Sequence, residues 1–440
     1  MTRLQSIKGK TPSGTITVPG DKSISHRALM LSALAMGRST VQGLLEGEDV
    51  LATAAAMRQM GATINRIDNG IWQVDGVGVG GLLPPVEKIE MGNSGTSTRL
   101  LMGLIATHGI EATMVGDASL QSRPMGRVTI PLSQMGAKFV GQDGKLPMTI
   151  YGTQQSQPIH YATPMASAQV KSTVLLAGLN TAGITNVTEK TATRDHSERM
   201  LESMGANINT QANNDGSFTI TLVGQPDLKP TNITVPGDIS SAAFPLTLAA
   251  MTPGADITIK NVGVNPLRTG IICGLRAMGA SVTLTNERLV ANEPVADIRV
   301  EGTRLNAITD IGADASTMID EFPVLFVAAS TASGTTKLRG LAELRVKESD
   351  RLAVMAEGLA ANGIDITLHD DGIDIVGASG DVIGGGTIKS YLDHRIAMSF
   401  AVLGQAAEKP VTIDDASPIN TSFPDFVALM TSLGCQFREG

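Results

Sequence analysis

The sequence predicts a duplicated α/β protein of two lobes, and two kinds of repeat predict it. A helix-like segment that ends in Met-Gly-Ala and runs into alternating apolar residues occurs at RQMGATINRI, SQMGAKFV, ESMGANINT and RAMGASVTL, around Gly61, Gly136, Gly205 and Gly279. Two diverged copies, AANGIDITL at Gly363 and TSLGCQF at Gly434, complete a set of six. The pentapeptide TVPGD occurs twice, from Thr17 and from Thr234, and three of the six segments follow each copy.

In each segment a left-handed glycine is expected to end the helix, and a strand of period two to follow. Short β-rich runs such as WQVDGV, FTITLVG and IDIVGA give each unit more strand than one βα pair. The repeat period of about 70 to 80 residues is too long for the common solenoids. At 440 residues the chain is long enough for two or three cores. Aromatic residues are only 3%, so those cores must be aliphatic. A ligand cleft is expected between the lobes.

Composition excludes several function classes. A net charge of -8 argues against a nucleic-acid partner, so any anion site must be local. Residues 1–10 lack the apolar core of a signal peptide, and no apolar run reaches the roughly 18 residues of a membrane helix. A cytoplasmic protein is expected. Cys273 and Cys435, the only cysteines, each lie in an apolar helical pattern, which leaves no disulfide framework or thiolate metal site. The six histidines show no HxH or HxxxH spacing, and no metal is expected.

The chemistry-bearing residues cluster at helix starts. In TVPGDKSISHR a Pro-Gly-Asp turn ends a strand, and Lys22, Ser23, Ser25, His26 and Arg27 open an apolar helix. Helix N-termini hold anions through free N–H groups and the dipole, whereas cations there are unfavourable unless an anion is present. The second copy, TVPGDISS, drops the cations and is expected to keep only the turn and the helix start. EMGNSGTSTRLLMGL repeats the device with Asn93, Gly95 and Arg99, and DASLQSRPMGRV adds Arg123 and Arg127. YATPMASAQVKSTVLLAG contributes Ser167, Gln169 and Lys171 in the same way. Arg194, in TATRDHSERM, reads by itself as a solvated charge.

Candidate acid/base carboxylates accompany the cations only after the second TVPGD. Asp320 and Glu321 stand between apolar residues in DASTMIDEFPVLF, where at least one must be partly buried and need a partner. LRVKESDRLAVMAEGL reads as a helix start with Lys347 and Arg351 at i, i+4 and Glu348 on the neighbouring face; a surface salt-bridge lattice is the alternative. SYLDHRIAMSF adds Asp393, His394 and Arg395. The pattern suits small polyanions held between lobes, with acid/base groups to move protons. GVGVGG is followed by LLPPVE instead of a helix, and Leu4 occupies the first glycine position of a P-loop ending at Gly9-Lys10-Thr11, so neither nucleotide signature holds.

The blocks VPGDKSISHR, GNSGT, RPMGR, SAQVKS, TRDHSE, MIDEFP, ELRVKESDR and LDHRIAMSF, in this order from about Lys8 to Phe426, closely resemble the 5-enolpyruvylshikimate-3-phosphate (EPSP) synthase family, in its class II bacterial branch. The resemblance implies two similar lobes, each of three repeated βαβαββ units in an inside-out α/β barrel, with the active site in the inter-lobe cleft. Residues 1–20 with 236–440 would form the lobe of carboxylates and phosphoenolpyruvate ligands, and 21–235 the shikimate 3-phosphate lobe. The implied reaction is enolpyruvyl transfer from phosphoenolpyruvate to the 5-hydroxyl of shikimate 3-phosphate, with release of phosphate and no cofactor.

By the same resemblance Lys22, Ser23 and Arg27 match shikimate-phosphate ligands, Lys22 reaching phosphoenolpyruvate as well. Ser167, Ala168, Gln169 and Arg194 surround the shikimate phosphate, while Gly95, Arg123, Arg351 and Arg395 fall on the phosphoenolpyruvate side, and Asn93 counts as a further substrate-binding residue. Gln169 and Lys347 would touch both ligands or the space between. Asp320 and Glu348 match the acid/base carboxylates, with Asp320 on the sugar hydroxyl and Glu348 with Lys22 on the methylene proton. The implied protein is a monomer competitively inhibited by glyphosate.

Two departures qualify the match. Thr421 replaces a lysine that class I members carry, and Gly95 replaces the alanine of glyphosate-insensitive class II members. A sister transferase acting on a UDP-amino sugar is the nearest rival; it places a cysteine or aspartate acid on a first-lobe loop, whereas both cysteines here fall in the second half. A catalytically silent anion-binding protein is the rival of another class, disfavoured by Lys22, Asp320 and Glu348.

Overall fold

A computed structural model of the chain describes residues 2–67, 70–311 and 315–439. The chain forms two compact units: Gly20–Val235 with Val290–Glu293, and Met1–Pro19 with Pro236–Leu289 and Pro294–Gly440. Apart from the short Val290–Glu293 segment, the divisions fall inside the two TVPGD copies.

The Gly20–Val235 unit holds helices α1 (Lys22–Ala33), α2 (Glu48–Gln59), α3 (Gly95–Ala106), α4 (Ala118–Ser122), α5 (Gly126–Gln134), α6 (Ala168–Leu179) and α7 (His196–Ser203). Among the described residues its strands make three four-stranded sheets of one topology. In one, His160–Ala162 pairs in parallel with Ile184–Glu189, which pairs antiparallel with Phe218–Val223, and that strand in turn with Ile208–Ala212. Ile89–Glu90, Glu111–Val115, Met148–Tyr151 and Lys138–Gly141 repeat the order. In the third sheet the parallel edge strand is Asn232–Thr234, from the far end of the unit, with Asn232 opposite Thr40. Each repeat is thus βαβαββ, and the chain closes the third on itself.

The other unit carries α8 (Ile239–Met251), α9 (Gly270–Ala277), α10 (Phe322–Thr331), α11 (Arg351–Ala361), α12 (His394–Leu403) and α13 (Phe426–Ser432). Its sheets follow the same plan: Ser13–Thr17 lies parallel to Asp256–Gly263, and Thr387–Ile388 parallel to Val411–Ile413. In the three-stranded sheet of Ser333–Leu338, Ile373–Ala378 and Asp365–Leu368 the parallel edge shrinks to a bridge from Asn306 to Ser333. Leu4–Ile7 pairs antiparallel with Gln436–Glu439, which fixes both chain ends in this unit.

In both units some helices lie in the interior. Every residue of α8 and α10 is buried, as is all of α3 except Thr96 and all of α12 except Arg395. A helix apolar on every face belongs in a core, and the strands form the wall, Ile208–Ala212 having no fully buried residue.

The six glycine segments share one physical device. Gly61, Gly136, Gly205, Gly279, Gly363 and Gly434 all have φ between 86° and 110°. In each, the next residue's N–H returns to the carbonyl five positions back, as Ala62 to Met57 at 3.1 Å and Ala206 to Leu201 at 2.9 Å. This is the Schellman ending, which satisfies carbonyls the helix leaves open. It also corrects the placement of Cys435, which lies outside α13 in this closing position, its amide on the Met430 carbonyl at 3.1 Å. Burial pushes its thiol up to about 12. Gly20 answers to a close approach instead: a Cβ there would come 1.9 Å from the Gly43 carbonyl oxygen.

Candidate active site

In the Gly20–Val235 unit the candidate residues sit at the starts of the buried helices. The Asp21 carboxylate accepts from the Ile24 amide at 2.8 Å and so begins α1 immediately before Lys22. The Lys22 ammonium bonds Asp49 Oδ2 at 2.7 Å, from the first turn of α2. Sequence reasoning missed Asp49; its signal was an acidic helix start in GEDV, where a carboxylate suits the dipole. Arg27 is only 4% exposed, and each of its nitrogens donates to the protein: Nε to Ser197 Oγ at 2.7 Å, Nη1 to the Ser23 carbonyl at 2.9 Å and Nη2 to Ser172 Oγ at 2.8 Å. Burial lowers its pKa to about 10, against the pull of Glu198, and it stays a cation at neutral pH.

At α3 the Ser94 hydroxyl caps the helix, and Asn93 beside it is held from two sides. Its amide donates to Asp117 Oδ2 at 2.7 Å, and its carbonyl accepts from Arg123 Nη2 at 2.6 Å. Asp117, also missed, therefore orients Asn93 and through it Arg123. Gln169, on α6 after the Ser167 cap, reaches across to α3: it accepts from Arg99 Nη1 at 3.0 Å and donates to Thr96 Oγ1 at 3.1 Å. Gly95 lies beneath this pair of arginines, and a Cβ on it would come 2.9 Å from Arg99 Nη1 and 3.1 Å from Arg123 Nη1.

Two expectations need correction here. Lys171 does not stand at a helix start facing a ligand; it is 1% exposed, and its ammonium meets Glu189 Oε1 at 3.0 Å and Glu198 Oε1 at 2.8 Å. Its period along α6 turns it into the core. Nor does the second TVPGD keep only a turn and a helix start. Asp238 caps α8, and the buried Arg268 donates to Ser240 Oγ at 2.8 Å and to Asp238 at 3.3 Å. The cation that this copy lacks locally is supplied from the loop before α9.

In the other unit the structure gathers carboxylates that sequence spacing kept apart. Arg351, the first residue of α11, is 1% exposed. It donates through Nε to Asp393 Oδ2 at 2.9 Å, through Nη1 to Asp320 Oδ1 at 3.2 Å and through Nη2 to Glu348 Oε2 at 2.6 Å. Burial by itself would lower its pKa, but Asp393, Glu348 and Asp320 together outweigh that and raise it. Asp393 is 0% exposed, caps α12 and also accepts from Ser349 Oγ at 3.0 Å. Arg395 donates to the Asp320 carbonyl at 3.0 Å and lies 3.5 Å from Glu321 Oε1.

Lys347 departs from the expected helix start. Residues Ala342–Val346 form a 3-10 turn that Lys347 closes, and its ammonium bonds Glu343 at 2.6 Å, so α11 begins only after the Asp350 cap. Thr421 offers no cation; its hydroxyl donates to the Pro418 carbonyl at 2.8 Å. Among the described residues no group of His, Cys, Asp and Glu is arranged to hold a metal ion.

One half thus presents cations and amide-rich helix starts, and the other two partly exposed carboxylates on a buried arginine. Known proteins share this framework. The family model described as EPSP synthase (3-phosphoshikimate 1-carboxyvinyltransferase) matches residues 7–430. A 3-phosphoshikimate 1-carboxyvinyltransferase of Zymomonas mobilis is 56% identical over 99% of this chain and 97% of its own length. One of Sphingopyxis alaskensis is 57% identical over 98% of each. A solved EPSP synthase from Acinetobacter baumannii superposes with a TM-score of 0.89 at 47% identity, covering 100% of both chains.

Proposed function

The chain belongs to the EPSP synthase family, and we propose that the two clusters just described are the ligand and acid/base groups of its reaction. The enzyme transfers the enolpyruvyl group of phosphoenolpyruvate to the 5-hydroxyl of shikimate 3-phosphate and releases phosphate, by addition and elimination through a tetrahedral intermediate. The observation that carries the assignment of residues is the meeting of Asp320 and Glu348 on Arg351. It holds two carboxylates in place for proton transfer without burying either completely.

Addition requires a proton to leave the 5-hydroxyl, a C–O bond to form at C2 of phosphoenolpyruvate and a proton to arrive at its C3 methylene. Asp320 takes the first proton, and Glu348 with Lys22 supplies the second. Elimination returns a proton from the new methyl group and expels phosphate. Ser23, Arg27, Ser167, Ala168, Gln169 and Arg194 hold shikimate 3-phosphate; Asn93, Gly95, Arg123, Arg351 and Arg395 hold phosphoenolpyruvate; Lys347 serves both once it leaves Glu343. Preorganised donors of this kind stabilise charge as it develops. We read the protein as a cytoplasmic monomer; among its described residues no helix is long and apolar enough to cross a membrane.

The test is phosphate release from phosphoenolpyruvate with either shikimate 3-phosphate or UDP-N-acetylglucosamine as acceptor. Release with the shikimate ester alone is expected, and release with the sugar nucleotide alone would overturn the reading. Glyphosate should compete with phosphoenolpyruvate. Because it is the longer molecule, Gly95→Ala should raise its inhibition constant by at least about tenfold. The added methyl also presses on Arg99 and Arg123, so the KM for phosphoenolpyruvate should rise by a smaller factor. An inhibition constant unchanged by Gly95→Ala would contradict the steric argument.

A further inference from the structure

We infer that Lys171 is a positioning residue: with Glu189 it clamps Thr193 on all its polar groups and thereby sets Arg194, the next residue, for shikimate 3-phosphate. The inference rests on the assignment of Arg194 to that ligand. Glu189 ends the strand Ile184–Glu189, and its carboxylate accepts from the Thr193 amide at 2.9 Å and from the Thr193 hydroxyl at 2.6 Å. Lys171 Nζ donates to the Thr193 carbonyl at 2.9 Å and to Glu189 at 3.0 Å. The short segment between strand and α7 is therefore pinned at its middle, one residue before Arg194.

The same ammonium bridges to α7 through Glu198 at 2.8 Å. Glu198 follows Ser197, which accepts from Arg27, and Lys171 precedes Ser172, which accepts from the same guanidinium. Lys171 thus ties α6, the carrier of Ser167, Ala168 and Gln169, to α7 and to the segment that carries Arg194, while Arg27 reaches the same two helices from α1. All four charged groups are nearly enclosed: Lys171 is 1% exposed, Glu189 2%, Arg27 4% and Glu198 7%. Two cations and two carboxylates balance inside a low-dielectric core, and one Glu198 oxygen has no hydrogen-bond partner among the described residues. Glu198 and Glu189 outweigh the burial that would otherwise lower the lysine's pKa, so it stays charged. A charge-balanced cluster with one slack acceptor holds its geometry through the ammonium, and removal of that ammonium releases the Thr193 carbonyl and leaves Glu189, which holds the rest of Thr193, without its buried counter-charge.

The experiment is a double-mutant cycle read as KM for each substrate, with folding checked by thermal unfolding. Lys171→Met should raise the KM for shikimate 3-phosphate about tenfold, with kcat and the KM for phosphoenolpyruvate within about twofold. In an Arg194→Ala background the same change should have almost no further effect, because the group it positions is gone. Multiplying effects in the two backgrounds, or equal losses for both substrates, would overturn the inference. If Lys171→Met does not fold, Thr193→Val removes one clamp bond and should show the same selectivity and the same loss of effect with Arg194→Ala. An unchanged KM in Arg194→Ala alone would overturn the assignment beneath the inference, whereas a raised KM there with a silent Lys171→Met and Thr193→Val would overturn the inference alone.

Discussion

Replacing Arg351 with methionine is expected to abolish measurable turnover and to lower stability by about 3–5 kcal/mol, the usual cost of leaving buried charge without its partner. Three carboxylates converge on this guanidinium, and Asp393 among them has no solvent to turn to, being 0% exposed. The loss therefore combines a structural part, at Asp393 and the start of α12, with a functional part at Asp320 and Glu348. Arg351→Lys separates the two. An ammonium keeps the charge but cannot make the three directed contacts of the planar fork, so stability should recover further than turnover does. Denaturant unfolding and steady-state assays would check both. A methionine variant as stable and active as the parent would remove Arg351 from the centre of the site.

Asp320→Asn is expected to lower kcat by about 10²- to 10⁴-fold, the range usual for a general acid or base. The amide is nearly isosteric, and its oxygen can still accept from Arg351 Nη1, as Oδ1 does at 3.2 Å. Affinity for shikimate 3-phosphate should stay within a few-fold, which separates proton transfer from binding. Full turnover in this variant would show that another group takes the proton of the 5-hydroxyl.

The framework was legible in the sequence because its devices are local. The helix-ending glycines and the TVPGD turns are set by a few neighbouring residues, and all six glycines have the left-handed φ that the pattern demands. Helix-start residues such as Lys22, Asn93 and Ser167 were legible for the same reason. What spacing could not convey is which side of a helix a charge occupies once three repeats are packed together. Lys171 and Lys22 look alike in sequence, yet one is enclosed by Glu189 and Glu198 and the other meets Asp49 at a more open position. The convergence of Asp320, Glu348 and Asp393 on Arg351 spans 73 residues, a product of tertiary packing that no local pattern carries. Asp49 and Asp117 were passed over because an acidic residue in a first helical turn is ordinarily just a favourable cap.

The most direct test of the account is the deuterium content of the product's vinyl group after turnover in D2O, compared between the parent enzyme and Glu348→Gln. Protonation of the C3 methylene creates a methyl group, and loss of one of its hydrogens leaves solvent deuterium in the vinyl group. The account predicts deuterium in the parent's product, and in Glu348→Gln a much slower appearance of product that still carries deuterium, while both substrates still bind. A vinyl group free of deuterium at full turnover would contradict the addition of a proton at C3, and a Glu348→Gln enzyme with undiminished rate would contradict the role given to Glu348.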